Sequence, residues 1–319
     1  MEQLGANGLA DGMKQFYDRK LLSKPHLDTI FMDYGQKRPI PPRWGKSVEF
    51  RRYEKITMTA GSYTLPTEGS VTAAIAATIT AVTATISQYG QHSKITDILE
   101  TQNIDPIISE YAELYRLAMA EGLDIVVREE FSNATTIQYA DAAARVGTSG
   151  TGAVGSGNYL DGAEILEAAR TLKRNGARKP YRMFLHPDNT KDCFEDPDIV
   201  DSFLHAESRG GGNPMFTGQI GRWGGVEFLE TNNLKINSSY GMSGADVYEV
   251  VIFGSEFYGV TELSAHAARM IIHPRGTGGH LDPLEQYSTI GWKAAMATKI
   301  LNNDFGVLVY CASSRSNAA

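Results

Sequence analysis

Residues 46–89 constrain this chain more than any other stretch. They read as two long strands rich in Thr and Val, joined by a tip that holds Gly61, Pro66, Gly69 and Ser70, and followed at once by an acidic helix. Thr and Val are stiff at χ1 and favour pleated structure. A strand pair of this length cannot bury itself on a helix of the same small chain. The pattern therefore predicts burial on a neighbouring copy, and with it an assembling protein rather than an enzyme.

The strand text is informative in detail. Val48 and Phe50 alternate, Arg51 and Arg52 break the pattern, and Tyr53, Ile56 and Met58 follow. On the return, Ile75, Ala77, Ile79 and Ala81 share one face, and then Val82, Ala84 and Ile86 become the apolar set. A one-residue slip in a period of two predicts a β-bulge, which would bend the hairpin. Upstream, Pro39, Pro41 and Pro42 dictate an extended entry. The first 35 residues are polar with scattered aromatics (Phe16, Tyr17, Phe31, Tyr34) and read as an arm that needs a partner to order it.

A long helix follows. Asp105 is the expected N-cap, with Pro106 at the first helical position. Ile107, Tyr111, Leu114 and Ala118 form the predicted buried stripe, extended by Ile108, Tyr115 and Val126. The helix should run to about Phe131, roughly 38 Å at 1.5 Å per residue. Gly122 inside it marks a weak point or a site of close packing. Beyond it, short strands are expected at 135–140, 181–185, 226–230, 248–253, 268–273, 292–300 and 307–312. Helices are expected at 161–175, from Pro187, and over 199–206, and Gly-rich loops at 147–157 and 208–213. The order lacks a βαβ rhythm, which makes the fold class α+β.

Charge is unevenly spread. The net charge is −7, which excludes a chain that clamps nucleic acid along its whole length. Residues 1–60 carry 11 Lys/Arg and 7 Asp/Glu, whereas 97–130 carry nine acids against Arg116 and Arg128. Two readings stand: attraction between the basic part of one copy and the acidic helix of another, or a solvated helix face and a solvated tail, since exposed pairs are weak. Arg51, Arg52 and Tyr53 fit a subunit contact better than a nucleic-acid site, because no nucleic-acid module surrounds them. Cys193 and Cys311 stand far apart in no motif and read as buried thiols. The apolar run at 71–86 is interrupted by Thr72, Thr78, Thr80, Thr83 and Thr85, so no membrane span is expected.

Chemistry-bearing patterns are sparse. The loop at 147–157 lacks the Lys-Ser/Thr pair of a phosphate loop. Gly155-Ser156-Gly157 is no nucleophile elbow, and no dinucleotide fingerprint appears. His186, Asp188 and either His273 or His280 are the one set that a metal-dependent hydrolase could use, although Pro187-Asp188 is better explained as a helix start. No cofactor is expected.

The order of elements then resembles a family. Basic arm, long hairpin, long helix, Gly-rich mixed domain and late strands together resemble the major capsid proteins of tailed phages, the HK97-like fold. The text 86–90 (Ile-Ser-Gln-Tyr-Gly), 95–97 (Ile-Thr-Asp) and 124–126 (Asp-Ile-Val) is similar to an N4-like phage coat-protein family. Phe184-Leu185-His186-Pro187 and the run 221–228 resemble strand entries of the capsid axial domain.

The resemblance implies an N-terminal arm (1–35), an extended β-hairpin loop (36–95), a peripheral domain with its spine helix (97–140 with 255–319) and an axial domain (141–254). It implies self-assembly through hexamers and pentamers into the icosahedral head of a double-stranded DNA phage, assembled in the bacterial cytoplasm. Trp44, Arg51, Arg52, Tyr53, Lys55 and Tyr63 on the loop, and Glu110, Glu113 and Glu121 on the helix, are the candidate intersubunit contacts. Because Met1 lies close to the arm, a separate scaffolding protein is expected, along with a portal and a decoration protein. Packaged DNA would be enclosed without sequence-specific contact. An encapsulin-like cargo shell would share the fold and differ only in its contents.

Overall fold

The computed structural model describes residues 29–40, 45–56, 75–103, 106–140, 154–155, 157–206, 221–237, 241, 246–262, 268–277 and 283–315. The first elements are β1 (Gln36–Lys37), β2 (Ser47–Tyr53), β3 (Ile79–Thr85), β4 (Ser87–Thr96), α1 (Asp97–Gln102), α2 (Ile107–Phe131) and β5 (Ile137–Tyr139). The middle holds α3 (Gly162–Arg174), β6 (Arg178–Leu185), α4 (Pro187–Glu195), α5 (Pro197–Ala206), β7 (Arg222–Trp223), β8 (Val226–Glu230) and β9 (Ile236–Asn237). The last part is mostly strand: β10 (Val247–Ser255), β11 (Tyr258–Glu262), β12 (Arg269–His273), β13 (Tyr287–Ile300) and β14 (Gly306–Cys311). Helices and largely antiparallel strands are mixed, so the α+β class holds.

Two sheets carry the fold. In the first, β13 is the trunk. β4 runs antiparallel along one edge from Tyr287↔Thr96 to Met296↔Ser87, and β12 and then β11 follow one another along the other. β1 adds parallel to β11. The second sheet has the order β5-β14-β10-β6-β8-β7, with β9 also on β10. Its centre is apolar: eight of the nine residues of β10 and all six of β14 are buried. It combines β5 and β14 with strands from 178–255.

The long helix begins and ends nearly where the sequence predicts, over 25 residues. Pro106 occupies the cap position, and Asp105 lies outside the described residues. Which row α2 buries is different from the expectation. Ile107, Tyr115, Leu123, Val127 and Phe131 face inward, whereas Tyr111 and Leu114 are 37% and 46% exposed. Both rows are apolar at helical spacing, so spacing alone cannot choose between them. The first sheet chooses: the Tyr115 hydroxyl bonds the Ser93 hydroxyl of β4, and a Cβ on Gly122 would sit 3.4 Å from the Trp292 ring. Gly122 thus faces the Trp292 ring at a distance where a Cβ would make ordinary van der Waals contact.

Residues 29–35 also depart from the arm expectation. Phe31 is buried, with its ring centroid 4.8 Å from Phe184 and 5.7 Å from Phe131. The Tyr258 hydroxyl donates to the Phe31 carbonyl at 2.6 Å. An aromatic cluster of this kind stabilises through both area and edge-to-face geometry. This segment therefore belongs to the core of its own chain. Residues 1–28 lie outside the described residues.

Cys193 and Cys311 are free and buried, as expected. Burial pushes the Cys193 thiol up to about 12 and raises Cys311 as well.

Candidate assembly surfaces

The hairpin forms as expected but without the bulge. β2 and β3 pair antiparallel in unbroken register from Ser47↔Thr85 to Tyr53↔Ile79. The apparent slip at Val82 reflects two apolar faces, not an inserted residue. Thr80, Val82 and Ala84 turn inward, while Ile79 and Ala81 turn outward. The inward face docks at home: Phe50 and Ala84 bury against Ala297 of β13, with Val48, Ile86 and Leu301 around them. The Arg38 guanidinium lies 5.1 Å from the centre of the Phe50 ring.

The outward face is different. Tyr53 and Ile79 face each other across the ladder and are 76% and 53% exposed. Ile56 and Ile75, just beyond the ladder, are exposed as well. A cross-strand aromatic–β-branched pair normally contributes through burial. Here two large apolar side chains meet water in the isolated chain.

The charged candidates are tied locally. Arg51 Nε donates to Glu49 at 2.8 Å, and Arg52 Nε to Glu54 at 2.9 Å. The Arg51 bond holds the Glu49 carboxyl below the usual carboxylate range. Thr80 and then Arg52 do the same for Glu54. Lys55 is exposed at the ladder's end; Trp44 and Tyr63 lie outside the described residues. On α2, Glu113 is exposed and Glu110 and Glu121 are half-exposed, on the helix that carries Tyr111 and Leu114. The structure brings Arg51, Arg52 and Tyr53 together on one ladder and the acids together on one helix. Sequence reasoning named Tyr53 as a contact but not its cross-strand partner Ile79, and it assigned Tyr111 and Leu114 to the buried stripe, whereas both are exposed. The signal for both is an apolar residue on a face whose neighbours are Arg, Lys or Glu.

Among the described residues the metal set does not form. His186 Nδ1 accepts from the backbone N–H of Asp188 at 3.2 Å and so caps α4. Tyr248 donates to the Asp188 carboxylate at 2.9 Å. Burial lowers the His186 pKa, with Asp188 opposing. His186 heads the helix after β6, His273 ends β12 in the other sheet, and His280 lies outside the described residues. Among the described residues no group of three or more His, Cys, Asp or Glu could hold a metal ion. No helix among them is long and apolar enough to cross a membrane.

The family model described as phage capsid protein matches residues 79–309, well over half of the chain. The chain belongs to the phage capsid protein family. A comparison with curated proteins finds no match. Solved structures agree on the fold. The capsid of Cyanophage P-SCSP1u superposes with a TM-score of 0.70 at 18% identity, covering 96% of this chain and 95% of that one. The Cyanophage Pam1 capsid gives 0.72 at 12% identity, over 96% and 98%. The acid-stable capsid of Helicobacter pylori bacteriophage KHP30 gives 0.72 at 11%, over 98% and 100%. This capsid protein is a major capsid protein with the HK97-like fold that the order of elements implied. Capsids are multi-copy shells, so it associates with copies of itself in the virion.

Proposed function

We propose that this capsid protein builds the icosahedral head of a tailed double-stranded DNA phage through hexamers and pentamers, with the β2–β3 hairpin as the element that overlaps a neighbour. The observation that carries the reading is the two-sidedness of the hairpin. Its base is held by Phe50 and Ala84 on its own sheet, while Tyr53, Ile79, Ile56 and Ile75 project uncovered. Burying such side chains on a neighbour is worth about 1.5–3 kcal/mol each, moderate enough to be reversible while a shell corrects errors.

The charged residues fit the same role. Arg51, Arg52, Tyr53 and Lys55, with Trp44 and Tyr63, form the loop side of the contact. Glu110, Glu113 and Glu121, beside Tyr111 and Leu114, form a helix side for another copy. α2 and the first sheet correspond to a peripheral domain, and the second sheet centres an axial domain built on 141–254, joined from outside that range by β5 and β14. Assembly in the host cytoplasm with a separate scaffolding protein, a portal and a decoration protein completes the reading, and packaged DNA needs no sequence-specific contact. The chain has no catalytic role in this account.

Electron microscopy of the expressed protein tests it. Shells or capsomers are expected. A stable monomer under assembly conditions would overturn the reading. Replacing residues 54–78 by a two-residue turn should leave a folded subunit that makes no shells. The deletion stops there because β4, only one residue beyond β3, is part of the first sheet.

A further inference from the structure

The run from Arg170 to Arg182 holds Arg170, Lys173, Arg174, Arg178, Lys179 and Arg182, and no Asp or Glu. In a chain with 30 Lys/Arg against 37 Asp/Glu this is a local reversal of sign. The fold treats these cations unequally. Arg170 is held by Glu167 through two hydrogen bonds. Arg182 donates to Glu227 at 3.1 Å and lies 4.8 Å from the centre of the Tyr34 ring. The ends of the run are therefore satisfied locally.

The middle is not. Lys173 and Arg174, in the last turn of α3, and Lys179, at the start of β6, are exposed and make no side-chain hydrogen bond or ion pair among the described residues. Arg178 reaches only Glu256, at 3.7 Å, with both side chains more than half exposed. Cations in the last turn of a helix answer its dipole, which accounts for Lys173 and Arg174 but not for Arg178 and Lys179 beyond the turn. Glu256 and Asp304 adjoin the turn and offset part of its charge.

The backbone that presents these cations is well anchored. Leu172 and Ala177 are buried on its two sides. Gly176, at φ +75°, closes α3 with its N–H on the Lys173 carbonyl at 3.1 Å. The Asn175 amide donates to the Asp304 carbonyl at 3.1 Å, and the Tyr181 hydroxyl to the Ala177 carbonyl at 3.0 Å. A partner that binds here orders side chains but no loop, which keeps the entropy cost low.

What this surface fits is set by what it lacks. Among the described residues no large apolar side chain from 167 to 182 is exposed. A protein interface builds on a desolvated apolar core with aromatic anchors. Contacts to a phosphodiester backbone are made by Lys, Arg, Asn and backbone N–H groups and need no apolar anchor. The turn offers that second set.

We propose that residues 173–179 are a lumenal contact for packaged duplex DNA, with Lys173, Arg174, Arg178 and Lys179 meeting phosphates without reading sequence. The proposal rests on the reading of the particle as a DNA-filled head, and it names the part of each subunit that meets the genome. About four phosphates per subunit make a weak grip. Repeated around a shell, such grips add up along one duplex.

Mixed-sequence duplex DNA titrated against the unassembled subunit between ~50 and ~200 mM salt tests this. Lys173→Gln with Arg174→Gln and Lys179→Gln should cut affinity about tenfold or more at the low-salt end and make the log–log salt slope shallower by about 2–3. Lys179→Gln alone should change that slope by about 1. The same charge change placed elsewhere, Lys46→Gln with Arg116→Gln and Arg269→Gln, should leave affinity near wild type. A wild-type subunit that ignores duplex DNA at ~50 mM salt, a triple variant that binds like wild type, or a displaced variant that loses as much, overturns the assignment. Shells keep this apart from the parent reading. The triple variant should form them at wild-type yield, because its altered side chains already lie in water. Shells lost with DNA affinity unchanged would make the turn a subunit contact and the proposal wrong, while wild-type shells leave the head reading standing. In those shells Lys179 should resist an amine reagent too bulky to cross the wall, yet react in the free subunit. Labelling in intact shells puts the turn outside and overturns the proposal.

Discussion

Asp124, fully buried in the middle of α2, accepts a hydrogen bond from the backbone N–H of Met32, 3.2 Å away and 92 residues earlier in the chain. Asn233 approaches the other oxygen at 3.4 Å. One carboxylate thus ties the entry of the chain, the long helix and the turn after β8. Burial lifts its pKa to about 6, while the bonds from Met32, Asn233 and the neighbouring backbone pull the other way.

A stability–pH prediction follows from that lift. An unfolded Asp titrates near 3.9, so the folded state holds this proton more tightly. Its stabilising contribution is complete below about 3.9 and is lost as pH rises through about 6. Asp124→Asn keeps an acceptor for Met32 and removes the titration. Relative to wild type, the variant should gain about 2–3 kcal/mol between pH 4 and pH 7.5, read from urea midpoints of the unassembled subunit. A difference that stays flat across this range would show that the carboxyl is not lifted.

Phe31 tests whether residues 29–35 are core. Phe31→Ala should destabilise the subunit by about 3–5 kcal/mol, lowering its denaturation midpoint. An arm residue that orders only in the shell would leave that midpoint unchanged and reduce assembly alone.

The legibility of this sequence divides along physical lines. α2 was readable at both ends because Pro106 and the helical period announce it, and β10 and β14 because continuous apolar runs in short strands leave few alternatives. β4 was not readable. Its text, Ser-Gln-Tyr-Gly-Gln-His-Ser-Lys-Ile-Thr, is polar with a glycine, and it is a strand because β13 supplies ten paired residues. Likewise the choice between the Tyr111–Leu114 row and the Tyr115–Val127 row belongs to the sheet below α2, not to the helix. Of the assembly surfaces, the hairpin was visible as alternation, whereas the outward pair of Tyr53 and Ile79 exists only through a register that no local text encodes.

The two faces of the hairpin should separate in mutants. Phe50→Ala removes a buried ring from the base and should cost the subunit about 3 kcal/mol or more. Tyr53→Ser with Ile79→Ser changes side chains already in water, so subunit stability should move by less than about 0.5 kcal/mol. Assembly should nevertheless fail or need several-fold more protein, measured by sedimentation of shells. Normal shell yield from the Tyr53/Ile79 variant would place the outward face in solvent in the particle too.

The Arg51–Glu49 pair offers a finer test, because its local and intersubunit roles predict opposite results. Exchanging the two, Glu49→Arg with Arg51→Glu, preserves the ion pair within β2 while inverting what a neighbour meets. Exposed pairs are individually weak, but each subunit repeats the contact throughout a shell. If Arg51 contacts a sister copy, the exchanged chain should fold with an unchanged midpoint yet assemble only at several-fold higher concentration. Because screening of exposed charges rises with ionic strength, the gap from wild type should narrow as salt is raised toward 1 M, where the Debye length is about 3 Å. Equal assembly of the two chains at low salt would confine the pair to its own strand and leave Tyr53 and Ile79 to carry the overlap.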